Sequence, residues 1–184
     1  ERFMCSIQYD RRLWKEDIEV SIAHVTMLAE TGVLSAKEKA ALVKGLEEVY
    51  AEISRGSFAW DEKLEDIHTH IEAALRDKVG HLADKLHTAR SRNDLVATDL
   101  RLYLMRQSQT ILDRITAFQK VLVDLAECNI ALVFPGYTHL QHGQPILLAH
   151  HLLAYVEMLD RDRQRIHSCR ERMDVLPLGV CAVA

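Results

Sequence analysis

The sequence predicts an all-α protein. Glycine and proline are scarce, 7 and 3 in 184 residues, and none occurs between Gly80 and Pro135. Apolar residues recur at helical spacing along most of the chain, and strand-like alternation is absent over any useful length. Ile18, Ile22, Val25 and Ala29 share one face of a helix that Gly32 can end. Ser35 with Glu38 fits a capping box, and Val43, Leu46, Tyr50 and Ile53 form the next apolar face. A shorter helix is expected from Asp66 to Val79, with Ile67, Ile71, Leu75 and Val79 inward and Gly80 past its end.

The longest element follows. From Asn93 to about Asn129, Val96, Leu100, Tyr103, Gln107, Ile111, Ile115, Phe118, Leu122 and Leu125 keep helical spacing. At ~1.5 Å per residue such a helix is roughly 55 Å long, more than a compact domain of this size covers by itself. A second long helix is expected to begin at Pro145, a favoured first-turn residue. It carries Leu148, Leu152, Tyr155 and Leu159 towards Ile166. Two long apolar-faced helices need partners, from more chain or from other subunits. Their stripes read as core, not as cofactor pockets.

Composition narrows the function classes. The net charge is -4, with Lys and Arg interspersed among the acids, which points to a soluble protein and gives no support for a nucleic-acid surface. No apolar run approaches membrane-spanning length, and the amino terminus lacks the basic-then-apolar layout of a signal peptide. Cys5, Cys128, Cys169 and Cys181 are far apart and form no CxxC pair, so neither a disulfide framework nor a zinc site is expected. They read as reduced thiols in a cytoplasmic protein, or an organellar one if a transit peptide was removed.

Two segments concentrate chemistry. Lys85-Leu86-His87-Thr88-Ala89-Arg90-Ser91-Arg92-Asn93-Asp94 packs cations, hydroxyls and an amide where the long periodicity begins. Arg forks bind carboxylates, Ser and Asn donate to the remaining oxygens, and a helix start adds free N–H groups and its dipole. The same spacing fits a helix cap from Ser91 to Asp94 with two solvated arginines. From spacing alone the capping reading is favoured. The second segment, Phe134-Pro135-Gly136-Tyr137-Thr138-His139-Leu140-Gln141-His142-Gly143-Gln144-Pro145, interrupts two helical patterns and offers a candidate acid–base group in His139.

Together these segments resemble the argininosuccinate lyase/delta-crystallin family of the fumarase/aspartase superfamily. The likeness includes Glu65-Asp66-Ile67-His68, the LHTARSRND run continuing as Val96-Ala97-Thr98-Asp99, and PGYTHLQ followed by QP. It extends to His150-His151-Leu152-Leu153-Ala154-Tyr155, to Pro177-Leu178-Gly179, and to the amino-terminal Ser6-Ile7-Gln8-Tyr9-Asp10-Arg11-Arg12-Leu13. Essentially the whole chain is covered, in order. Four departures stand out: Ala89 where many members have glycine, Gly143 for the usual alanine, Val20 for glycine, and Val180-Cys181 where small residues are typical.

The resemblance implies a small amino-terminal helical domain over residues 1–90. Residues 91–184 then supply the first long helices of a central bundle shared by four subunits of a homotetramer. Residues from three subunits meet at each site. Further bundle helices and a loop carrying the catalytic serine are expected outside this stretch, so the chain reads as a fragment. The implied reaction is reversible β-elimination of argininosuccinate to arginine and fumarate, without metal or organic cofactor. Carried over residue by residue, Asn93 and Thr138 match positions binding the succinate part, with Ser91 and Arg92 flanking it. Ser6 matches a substrate-contacting serine, and Asp10 lies close to it in sequence. His68 matches a histidine near the substrate, and His139 the histidine given an acid–base or tuning role. Two other readings stay open: a delta-crystallin-like structural lens protein, and a sister succinyl-adduct lyase such as adenylosuccinate lyase.

Overall fold

The computed structural model describes residues 5–61, 63–179 and 181. Val180 and residues 182–184 therefore lie outside the described residues. In chain order come α1 (Ile7–Asp10), a 3-10 turn (Arg11–Leu13), α2 (Trp14–Glu30), α3 (Ala36–Ser54), α4 (Ile67–Val79) and a 3-10 segment (Gly80–His87). There follow α5 (Arg92–Cys128), β1 (Val133–Thr138), β2 (Gln141–Leu147) and α6 (Leu148–Met173).

Local chemistry explains the early boundaries. α2 gives way to Gly32 at φ +79, a left-handed conformation that glycine adopts without Cβ strain. Ser35 Oγ accepts from the Glu38 amide at 3.3 Å while the Ser35 amide donates to Glu38 Oε2 at 2.8 Å, closing the expected capping box on α3. Asp66 caps α4 by accepting from the Thr69 amide at 2.8 Å, and Gly80 ends it at φ +62.

The chain forms two compact units. The first holds the residues up to Tyr103 together with the described residues of 176–184. Its core is Ile18, Val25 and Leu28 of α2, Leu42, Leu46 and Val49 of α3, Ile67, Ile71 and Leu75 of α4, and Leu86. Each such side chain contributes about 1.5–3 kcal/mol through burial. Gly45 of α3 marks a close approach to α4. A Cβ there would lie 2.6 Å from Leu75 Cδ1 and 3.1 Å from Val79 Cγ1. Gly45→Val is therefore expected to cost about 1–3 kcal/mol by overpacking, read as a lower urea midpoint.

The second unit is Leu104–Val175, comprising the rest of α5, the hairpin and α6. Leu112, Leu122 and Ala126 of α5 and Ala149 of α6 are buried. Gln119 Nε2 donates to the Val156 carbonyl at 3.0 Å, and Arg170 Nη1 donates to Gln109 Oε1 at 2.7 Å, tying α5 to α6. Much of the apolar stripe marked in the sequence stays open. Ile111, Phe118 and Leu125 of α5 and Tyr155 of α6 are all exposed. At 37 residues α5 is uninterrupted, about 55 Å long at 1.5 Å per residue.

The hairpin is the departure from a purely helical chain. β1 and β2 pair antiparallel with Thr138 opposite Gln141, so His139 and Leu140 form a two-residue turn. Both have positive φ, +50 and +62, the requirement of a type I′ turn, met here without glycine or asparagine. Pro145 is not the first residue of a helix. It sits in β2 opposite Pro135, a pairing that needs no N–H from either, and α6 starts three residues later at Leu148. The Leu148 amide donates to the Leu132 carbonyl at 2.9 Å, anchoring that start. Gly143, like Pro145, lies within β2. A Cβ there would sit 3.2 Å from the Gly136 carbonyl oxygen across the hairpin, so glycine eases the contact between strands.

Candidate active site

The amino-terminal unit builds its polar site around the first turn of α4. Ser6 Oγ donates to Asp10 Oδ2 at 2.6 Å, and Asp10 Oδ1 accepts from the Ile67 amide at 3.2 Å. Arg92 reaches the same turn. Its Nε donates to Asp66 Oδ2 at 2.6 Å, its Nη2 to Thr69 Oγ1 at 3.2 Å, and its Nη1 to Glu65 Oε2 at 3.3 Å. Burial would raise the Asp66 carboxyl, but hydrogen bonds from Thr69 and Arg92 hold it below its ordinary value. Burial raises Asp10, only partly opposed by Ser6. Arg92 is thus occupied by internal carboxylates.

Ser91 and Asp94 share the capping of α5. The Asn93 amide donates to Ser91 Oγ at 3.3 Å, and the Ser91 amide donates to Asp94 Oδ1 at 3.1 Å. Asp94 Oδ2 also accepts from the amides of Gly179 at 3.3 Å and Cys181 at 3.1 Å. Asn93 takes no part in the cap through its side chain. That amide is exposed, with no hydrogen-bond partner among the described residues, in the first turn where helix N–H groups and dipole favour an anion. The preceding Ala89 adopts φ +56, a left-handed conformation suited to glycine.

Beneath this surface lies a set of largely buried charges, of which sequence reasoning marked His68 but not Asp17, Glu72 or Asp99. His68, 3 % exposed, places Nδ1 3.3 Å from Asp17 Oδ2 and Nε2 3.1 Å from Glu72 Oε1. The second contact is an ion pair by distance but lies off the line of a hydrogen bond. Burial opposes a charge on His68, yet the two carboxylates outweigh it and raise the imidazole to about 9. Burial would raise Glu72, but His68 and His87 bring it down to about 2. Asp99 is pushed up to about 9 by burial and by Asp17, with which it shares a hydrogen bond. Arg90, 4 % exposed, donates from Nη1 to Ser21 Oγ at 3.3 Å, while burial lowers its guanidinium. His24 Nε2 lies 2.9 Å from the Thr88 carbonyl, tying α2 to the segment that leads into α5. The available signal was the stripe Asp17, Ser21, His24, polar at helical spacing on a face shared with buried Val25.

These shifts set a pH dependence. The folded His68 value of about 9 lies above the free value of 6.5, so its stabilisation is complete below pH 6.5 and disappears as pH rises through 9. Asp99, about 9 against 3.8, also binds its proton more tightly when folded and loses stabilisation in the same direction. Chemical denaturation is expected to show a midpoint falling steadily between pH 6.5 and 9; a flat profile would contradict these proton assignments.

Thr138 and His139 belong to the other unit. Thr138 ends β1 and His139 begins the turn; both side chains are exposed, and no hydrogen bond engages either among the described residues. A histidine and then Leu140 held at positive φ represent local strain of the kind found at functional loops. Tyr137 and His142 buttress the hairpin, with Tyr137 Oη 2.8 Å from His142 Nε2. Ser6, His68, Ser91, Arg92 and Asn93 are accordingly gathered in one unit, and Thr138 and His139 in the second.

The fold is that of helical fumarate lyases. The chain superposes on an EDDS lyase variant with bound fumarate at a TM-score of 0.81 and 31% identity, over 92% of this chain and 33% of that one. A fumarate lyase:delta crystallin from Brucella melitensis shares the fold at a TM-score of 0.77 and 19% identity, over 92% of this chain and 44% of that one. A family profile described as Lyase matches residues 1–184, and the chain belongs to that lyase family. It is 52% identical over 183 residues to argininosuccinate lyase of Pseudomonas aeruginosa, covering 100% of this chain and 39% of that protein. It is 51% identical over 184 residues to the argininosuccinate lyase of Moorella thermoacetica, covering 100% of this chain and 40% of that one. The chain thus spans about two fifths of the length of these relatives.

Proposed function

We propose that these residues form the carboxylate-binding part of an argininosuccinate lyase site, acting in arginine biosynthesis or the urea cycle. The observation that carries the reading is Asn93: its amide is presented at the start of α5 while Ser91 and Arg92 on its amino-terminal side are consumed by the cap and by ion pairs. The relatives' argininosuccinate lyase names and the fumarate in the EDDS lyase variant supply the substrate class.

The elimination removes a proton from the carbon beside a carboxylate and breaks the bond from the neighbouring carbon to a guanidinium nitrogen. The C–H electron pair becomes the double bond of fumarate, and the leaving nitrogen gains a proton as arginine departs. Charge accumulates on the carboxylate in the transition state. Fixed donors aimed at its oxygens lower the barrier by a few kcal/mol each. Asn93 and Thr138 take that part, Ser6 and His68 line the substrate region, and His139 moves or tunes a proton. The proton-abstracting serine belongs to a further segment of the longer protein.

Copies of the same chain in a homotetramer would cover Ile111, Phe118 and Leu125 of α5 and bring the two kinds of residue to one substrate. No helix of the described residues is long and apolar enough to cross a membrane, in keeping with a cytoplasmic location. The test is substrate choice in a protein of the relatives' full length carrying these residues. Fumarate release from argininosuccinate but not adenylosuccinate is expected. Release from adenylosuccinate alone would transfer the site to a sister lyase, and neither reaction from a folded tetramer would favour a structural, delta-crystallin-like role.

A further inference from the structure

His68, Glu72 and His87 stand apart from the carboxylate-binding residues in one respect: they converge. His68 and Glu72 are one turn apart on α4 and so share a face, and the 3-10 segment brings His87 beside them. One ligand atom from each lies within 4.8 Å of the others. Glu72 Oε1 is 3.1 Å from His68 Nε2 and 3.1 Å from His87 Nδ1. Donor atoms ~2.0–2.1 Å from a tetrahedral metal lie about 3.3 Å apart, so these separations need little adjustment.

The orientation of His68 is already that of a ligand. Its Nδ1 faces Asp17 Oδ2 at 3.3 Å, the carboxylate partner that metal-bound histidines characteristically have on their second nitrogen. Its Nε2 is buried and makes no hydrogen bond, although Glu72 is near. Glu72 and His87, both partly exposed, line a cavity of about 390 Å³ that also admits solvent. Arg76, one turn beyond Glu72 and also lining the cavity, is ion-paired with Asp84, which offsets its charge towards a cation.

We propose that His68, Glu72 and His87 form a binding site for a borderline divalent transition metal, Zn2+ foremost, with a fourth position open to the cavity. Two imidazoles and one carboxylate suit Zn2+, Co2+ or Cu2+ and not Mg2+ or Ca2+, which require oxygen donors. Binding displaces the proton from His68 Nε2 to solvent, where the metal takes the place between His68 and Glu72. The site shares His68 with the substrate-lining residues but does not depend on the proposed elimination, and its test uses binding alone.

The purified chain is titrated with Co2+ at pH 7.5 while its visible absorption is followed, then with Zn2+ while its Tm is measured. The expected result is a Co2+ band saturating at one equivalent, displaced by Zn2+, and a Tm that rises with Zn2+ because the metal binds the folded state. His87→Gln and Glu72→Gln should each lose the band and weaken Zn2+ binding at least about tenfold. His87 is half exposed, so His87→Gln should retain the helical circular dichroism that makes the comparison valid. No band in the native chain, or a His87→Gln variant that titrates like it, would overturn the assignment and leave surface histidines as the only metal binders.

Discussion

Asn93→Ala, made in a protein of the relatives' full length carrying these residues, should lower kcat/KM for argininosuccinate by about 10²-fold or more. Its Tm should hardly move. The side chain is exposed and unpartnered among the described residues, and the duties of a cap fall to Ser91 and Asp94. Alanine is a good helix former, so the substitution should alter stability by no more than about 0.5 kcal/mol. A large loss of activity with unchanged stability therefore separates a substrate contact from a capping role. The converse, normal kinetics with a lowered Tm, would mean that Asn93 only supports the helix.

The second large effect is on stability. Asp17→Ala should destabilise the amino-terminal unit by about 3–5 kcal/mol, because it leaves buried His68 and Arg90 without the carboxylate between them. Asp99→Asn should be far milder. Asp99 carries a proton in the folded state up to about pH 9, and an asparagine amide replaces a neutral acid of nearly the same shape. The pair is decisive because both residues are fully buried acids in the same cluster. Equal destabilisation by the two, measured by urea unfolding at pH 7, would show that the charges are distributed differently. Asp99→Asn should also flatten the loss of stability between pH 6.5 and 9 by removing one of the two titrations.

Helix boundaries were legible where a local interaction sets them. Ser35 with Glu38, Asp66, Gly32 and Gly80 act within a few residues, so their roles can be read from spacing. The hairpin was not legible for the opposite reason. Its strands are largely exposed and show no buried alternation, and its turn uses His139 and Leu140 in place of the usual glycine or asparagine. Pro145 carried the wrong message, since proline suits a helix start and an exposed strand alike until its partner, Pro135, is known. The buried cluster was hidden by sequence distance. Asp17 and Asp99 come from α2 and α5, and only folding makes them neighbours.

The candidate site divides in the same way. Ser91 and Asn93 are two residues apart and both polar, yet the structure gives one a cap and leaves the other exposed. Arg92 looked like a carboxylate-binding fork, and it is one, for Asp66 and Glu65. Its geometry therefore supports holding the α4 turn in place, and only in the proposed function are Asn93 and Thr138 the donors for a substrate carboxylate.

The most direct measurement is fumarate formation from argininosuccinate, followed by ultraviolet absorbance, in a protein of the relatives' full length carrying these residues and in its Asn93→Ala/Thr138→Ala variant. Steady fumarate release by the first and a loss of at least about 10²-fold in kcat/KM by the second, with its fold and assembly state unchanged, is the predicted result. A doubly substituted protein that releases fumarate at the normal rate would contradict it.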